Sequence, residues 1–79
     1  MVDINRLKVF LHAACTSNFS ETAQVFNISQ PTVSKYIHDL EVELGIVLFE
    51  RSGTHISLTD AGKTLFPWIR KVIYQSNEL

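Results

Sequence analysis

The sequence is poor in several things, and each shortage excludes a class. It holds one cysteine, Cys15, so no internal disulfide can form and a disulfide-stapled scaffold is excluded. A lone thiol fits a reducing compartment, and a cytoplasmic location is expected. No apolar run approaches the ~18 residues of a membrane span, so no membrane partner is expected. Cys15 follows two alanines, as in a lipid-attachment cleavage site. However, His12 stands where an aliphatic residue is needed and Asp3 falls in the would-be basic region, so no leader peptide is read. Three glycines and two prolines are too few for a collagen-like or low-complexity chain. Base is not in excess either. Seven Lys and Arg stand against eight Asp and Glu, a formal charge of −1. Any contact with nucleic acid must therefore come from where the charges lie, not from their sum.

Chemistry-bearing clusters are equally scarce. Three histidines and one distant cysteine show no metal-ligand spacing, so neither a metal nor a cofactor is expected. No nucleophile–base pair or phosphate-cradling loop appears, so no catalytic residue is named and an enzyme is not expected. With 79 residues the chain forms at most one domain and has little core to support a deep cleft.

What is present is periodic. Ile4, Leu7, Phe10, Leu11 and Ala14 recur at helical spacing, which predicts a helix over 4–16 capped by Asp3. Ser17-Asn18 breaks it. A short second helix follows, with Ser20 as the expected cap and Ala23 and Phe26 facing inward. After the tight turn at Asn27-Ile28, Ser29 caps a third helix and Pro31 sits in its first turn, where a missing N–H costs nothing. Val33, Ile37, Leu40 and Leu44 form its apolar stripe, and Gly45 ends it. The period then changes to two. Val47, Phe49 and Arg51 alternate with Leu48 and Glu50, Ser52-Gly53 marks a turn, and Ile56 and Leu58 lie on a return strand. Thr59-Asp60 caps a last helix over about 60–78. Its apolar face is Ala61, Leu65, Ile69, Val72 and Leu79, flanked by Phe66, Trp68 and Ile73, with Pro67 inside it as an expected kink.

The expected fold is therefore mainly α with a small two-stranded β-hairpin: a winged helix-turn-helix over 1–58, then a long linker or dimerisation helix over 59–79. Packing of the third helix across the second leaves its outer side free for a major groove. That side carries Gln30, Pro31, Ser34, Lys35 and His38. Gln suits adenine and Lys guanine, while Ser donates or accepts. His12 is read as a helix-surface residue.

The run Ser29-Gln30-Pro31-Thr32-Val33-Ser34-Lys35 is followed by Leu40-Glu41, Glu43-Leu44-Gly45 and Leu48-Phe49-Glu50-Arg51. With Phe19-Ser20, Ala23, Gly53, Leu58-Thr59 and Ala61-Gly62, it resembles the N-terminal DNA-binding domain of LysR-type transcriptional regulators. The resemblance is collinear over about residues 4–73. It implies sequence-specific binding of double-stranded DNA by a homodimer. Thr32 joins the reading set, and Ser20, Arg51, Ser52, Thr54 and His55 become phosphate and wing contacts. Leu65, Trp68, Ile69, Val72 and Ile73 become the pairing seam of the long helix. Where the family favours arginine after Ser34, basic residues four and five positions on, and arginine in the wing, this chain has Lys35, then His38 and Asp39, and Thr54 and Ser57, which accounts for its low charge. The resemblance also implies a small-molecule effector, acting only through a C-terminal domain that these residues do not include. The chain is then either part of a longer regulator or a naturally short relative. The alternative reading is a winged helix that serves protein interaction or dimerisation without touching DNA.

Overall fold

A computed structural model describes residues 3–53 and 55–77, with side chains described as far as Gln75. Thr54 and Leu79, both singled out above, lie outside them. The elements run α1 (Ile4–Thr16), α2 (Phe19–Phe26), α3 (Gln30–Leu44), β1 (Phe49–Ser52), β2 (His55–Leu58) and α4 (Asp60–Asn77). This is the winged helix-turn-helix with a trailing long helix that the periodicity predicts.

Local chemistry sets the boundaries. The Asp3 carboxylate accepts from the Asn5 N–H at 2.8 Å. Ser29 Oγ accepts from the Thr32 N–H at 3.2 Å, with Pro31 in that first turn. The α2 cap differs from expectation. Asn18, not Ser20, is the cap, and its Oδ1 accepts from the Glu21 N–H at 3.0 Å. Asparagine caps at least as well as serine, and starting two residues earlier puts Phe19 inside the helix, where its ring is buried. Each of the first three helices closes on a left-handed residue: Ser17 (φ 54°), Asn27 (φ 59°) and Gly45 (φ 69°).

The core is built from Val9, Phe10 and Ala13 of α1, Phe19 and Ala23 of α2, Val33, Ile37 and Leu40 of α3, then Leu48 and Phe49. Phe49 meets Phe19 edge-on at 5.4 Å and Phe10 at 5.7 Å, so the wing is bolted to the first two helices through aromatic contacts. Thr22 is fully buried, and its Oγ1 lies 2.8 Å from Nδ1 of His12, a half-buried ring that also packs edge-on to Phe26. His12 is therefore an interhelical contact, not the solvated surface residue expected.

Three further expectations are corrected. Leu44 is 37% exposed and drops out of the α3 stripe, because the helix ends there. Strict alternation fails before the wing: Leu48 and Phe49 are both buried while Val47 is exposed. The Glu41 carboxylate is the cause. It accepts from the Leu48 N–H at 2.6 Å and the Phe49 N–H at 3.3 Å, folding the connection back onto α3 before pairing begins. Third, Ile69 and Ile73 are buried against the chain's own core at 6% and 8% exposure, with Leu65 half-buried beside them. They are intrachain core residues and not an open seam. The outward apolar residues of α4 are Trp68, Val72 and Tyr74. The helix continues past Pro67, which cannot donate the usual bond to the Lys63 carbonyl.

The strands pair antiparallel, with Phe49 opposite Leu58, Glu50 opposite Ser57, Arg51 opposite Ile56 and Ser52 opposite His55. Gly53 turns the chain at φ 62°. Thr59 then joins wing to helix. Its hydroxyl donates to the Val47 carbonyl and accepts from the Gly62 N–H, and its own N–H donates to the Leu48 carbonyl at 3.0 Å.

Candidate nucleic-acid interface

The outer face of α3 and the wing meet at one residue. Arg51, on β1, extends its guanidinium over the Phe19 ring at 5.2 Å and donates to Ser34 Oγ at 3.5 Å. An arginine held on an aromatic face keeps its remaining donors aimed outward. Wing, α2 and α3 are thus joined at a point where a strong cation stands beside a side chain of α3.

Next to this junction is a cleft of about 220 Å³ lined by Ser17, Asn18, Phe19, Ser20, Gln30 and Ile56. It brings together Ser20 and Gln30, exposed residues from the first turns of α2 and α3. The first turns of two helices thus line the same cleft, although Asn18 and Ser29 already take N–H groups of those turns and Pro31 has none to give. Pro31 is exposed beside Gln30. Thr32 is half-buried, and its hydroxyl lies 2.8 Å from Ser29 Oγ, engaged in the cap. Ser52 and His55 face each other as exposed partners at the wing tip. His38 sits apart from the cleft, in a groove formed with Glu41, Val42, Gly45, Ile46 and Val47.

Lys35 is engaged as well. Its Nζ lies 3.0 Å from Asp39 Oδ2, one turn along α3. The hydrogen bond from Lys35 holds the Asp39 carboxyl below its usual range of 3.8, helped by the charges of Lys35, Arg6 and His38. Arg6 of α1 lies 3.6 Å from the same carboxylate and 3.3 Å from Glu43, with its guanidinium over the Tyr36 ring at 5.7 Å. Residue type marks Asp39 as an acid on α3, but the sequence does not reveal its ion pairs with Lys35 and Arg6, the Glu41 contact with the Leu48 and Phe49 N–H groups, or the Phe19 shelf under Arg51. The Lys35–Asp39 spacing of four was the available signal for one of them. Arg6 and the Phe19 shelf depend on contacts between elements far apart in the chain, and Glu41 on the way the connection after α3 folds back.

Among the described residues, no group of three or more His, Cys, Asp or Glu could hold a metal ion. No helix among them is long and apolar enough to cross a membrane.

A family model described as the bacterial regulatory helix-turn-helix protein, lysR family, matches residues 4–63. The chain belongs to the LysR family. Its curated LysR relatives include the transcriptional regulator CitR of Bacillus subtilis, 40% identical over 72 residues, covering 91% of this chain and 25% of that protein. An uncharacterized regulator of Azotobacter vinelandii is 38% identical over 72 residues, covering 91% of this chain and 50% of its own length. The LysR-family chain thus spans a quarter to a half of the length of these regulators. Among solved structures, the DNA-binding domain of CbnR, determined in a complex with DNA, superposes with a TM-score of 0.91 at 32% identity, covering 96% of this chain and 87% of that one. The BenM DNA-binding domain, in complex with its catB site 1 DNA, gives 0.90 at 28% identity, covering 96% and 82%.

Proposed function

We propose that this chain is the DNA-reading part of a bacterial-type transcriptional regulator, binding a specific duplex as a homodimer. The observation that carries the reading is the junction of Arg51 with Ser34 beside the Gln30–Ser20 cleft. It sets a cation, two helix N-termini and the outer face of α3 on one side of the molecule. The likeness to the CbnR domain, itself solved with DNA, supports the same assignment.

The roles divide by chemistry. Residues 1–58 form the reading unit and 59–79 the pairing helix. Gln30, Ser34 and Lys35 meet base edges, with Pro31, Thr32 and His38 along the same helix. Ser20, Arg51 and the wing residues Ser52, Thr54 and His55 meet phosphates and fix register. Two copies pair through the outward side of α4, at Trp68 and Val72, and so present matching reading heads to a dyad-symmetric site. The reading takes the chain to act in the cytoplasm, without catalysis and without a cofactor. A small-molecule effector would act through a separate domain. The test is selection from randomised duplexes. Recovery of a dyad-symmetric sequence supports the proposal. Recovery of no enriched sequence, with no binding to any duplex at low salt, favours an interaction module and contradicts it.

A further inference from the structure

Asp39 is an acid placed on the reading helix of a chain with little positive charge, and it does not sit there alone. Its carboxylate takes Lys35 Nζ at 3.0 Å, while Arg6 approaches the same oxygen from α1 at 3.6 Å. Arg6 is itself fixed, by Glu43 at 3.3 Å and by the face of Tyr36. The Lys35 side chain is 70% exposed and that of Asp39 only 27%. The acid is thus the member held from two sides and the lysine the more exposed one. An isolated exposed pair of this spacing would be weak, but an acid held from a second element stays in place when its partner moves.

Resting on the function proposed above, we propose that Asp39 is a positioning residue for sequence discrimination. It holds Lys35 back from phosphates on an arbitrary duplex and releases it only to a base acceptor in register. A phosphate offers Lys35 one exposed charge in salt-screened water, in competition with a carboxylate already at hydrogen-bond distance. A guanine edge offers two acceptors, O6 and N7, at fixed positions that only a duplex in register brings to Lys35. The restraint therefore acts chiefly against non-specific binding, the term that depends on phosphate contacts alone.

The experiment measures dissociation constants for two duplexes, the one recovered by selection and one of mixed sequence. The proteins are the parent, Asp39→Asn, Lys35→Met, the double variant, and Asp39→Asn combined with Arg6→Met, each checked for folding by circular dichroism. Asp39→Asn should tighten the mixed-sequence duplex about five- to ten-fold per dimer at low salt, steepen its salt slope by about 0.9 per subunit, and tighten the selected duplex less. The gain should vanish with Lys35→Met and survive Arg6→Met. Lys35→Met alone should weaken the selected duplex while changing the mixed one less than about two-fold, a readout that stands even if Asp39→Asn does not fold. Equal tightening on both duplexes would reduce Asp39 to a plain unit of charge and overturn the proposal, as would a gain that persists without Lys35. If the parent binds neither duplex, the DNA-binding reading itself fails, and the proposal falls with it.

Discussion

Under the proposed function, Gln30 and Arg51 divide the work between choice of sequence and strength of binding. Gln30 is exposed at the start of α3, clear of the core. Gln30→Ala should cost about 1–3 kcal/mol on the selected duplex and relax preference at one base pair, as a competition series over single-base variants would show. Arg51 touches Ser34 but is exposed and has further donors to offer a phosphate, so Arg51→Ala should weaken all duplexes alike. A loss confined to one sequence would make it a base reader instead. Asp39 gives a prediction in acid. Lys35 keeps its folded pKa below 3.8, so the pair's contribution to stability is full above that value and lost as pH falls through the lower, folded one. Urea midpoints taken between pH 5 and 2 should therefore fall further for the parent than for Asp39→Asn; parallel curves would contradict the linkage. At this scale the exposed side of α3 was legible, because a capped helix with a known stripe fixes which side is left over. The partners of Lys35, Arg51 and His12 were less so. Arg6 and Asp39, Phe19 and Arg51, and His12 and Thr22 meet only after separate elements have docked.

Element by element, the chain announces its helices better than its joints. Caps at Asp3 and Ser29 and the stop at Gly45 follow from residue type and position. Asn18 and Ser20 are both competent caps two residues apart, and burial of Phe19 decided between them. The approach to the wing was misread for a similar reason. Val47-Leu48-Phe49 carries no periodicity that reveals a carboxylate seven residues back, yet Glu41 turns that segment and buries two consecutive side chains. Gly62 is the corresponding joint at the start of α4. A Cβ there would lie 2.5 Å from the Leu48 carbonyl oxygen and 2.9 Å from Leu58 Cδ2. Backbone cannot yield as a flexible side chain does, so Gly62→Ala should destabilise the fold by about 1–3 kcal/mol in urea unfolding, despite alanine's better helix propensity. A neutral or stabilising result would mean that α4 can shift away from the wing.

For the molecule as a whole, the long helix carries two apolar faces where one had been read. Ile69 and Ile73, with Leu65, complete the core of their own chain, while Trp68 and Tyr74 stand 65% and 64% exposed and Val72 46%. Hydrophobic spacing locates apolar residues on a helix but cannot say which stripe belongs to the monomer when both are present. The pairing prediction accordingly moves outward. Trp68→Glu should yield monomers in sedimentation equilibrium at tens of micromolar, with the parent dimeric and both equally folded. A substitution at Ile69 would instead unfold the chain. A monomeric parent would remove the homodimer.

The central claim, that a chain of net charge −1 binds duplex DNA through locally placed groups, is tested most directly by the salt dependence of binding. With three or four phosphate contacts in each subunit, from Arg51, the wing and the α2 N-terminus, a dimer should show a log–log slope of about −5 to −7 on its selected duplex. A slope near zero, with no duplex preferred over another, would contradict it.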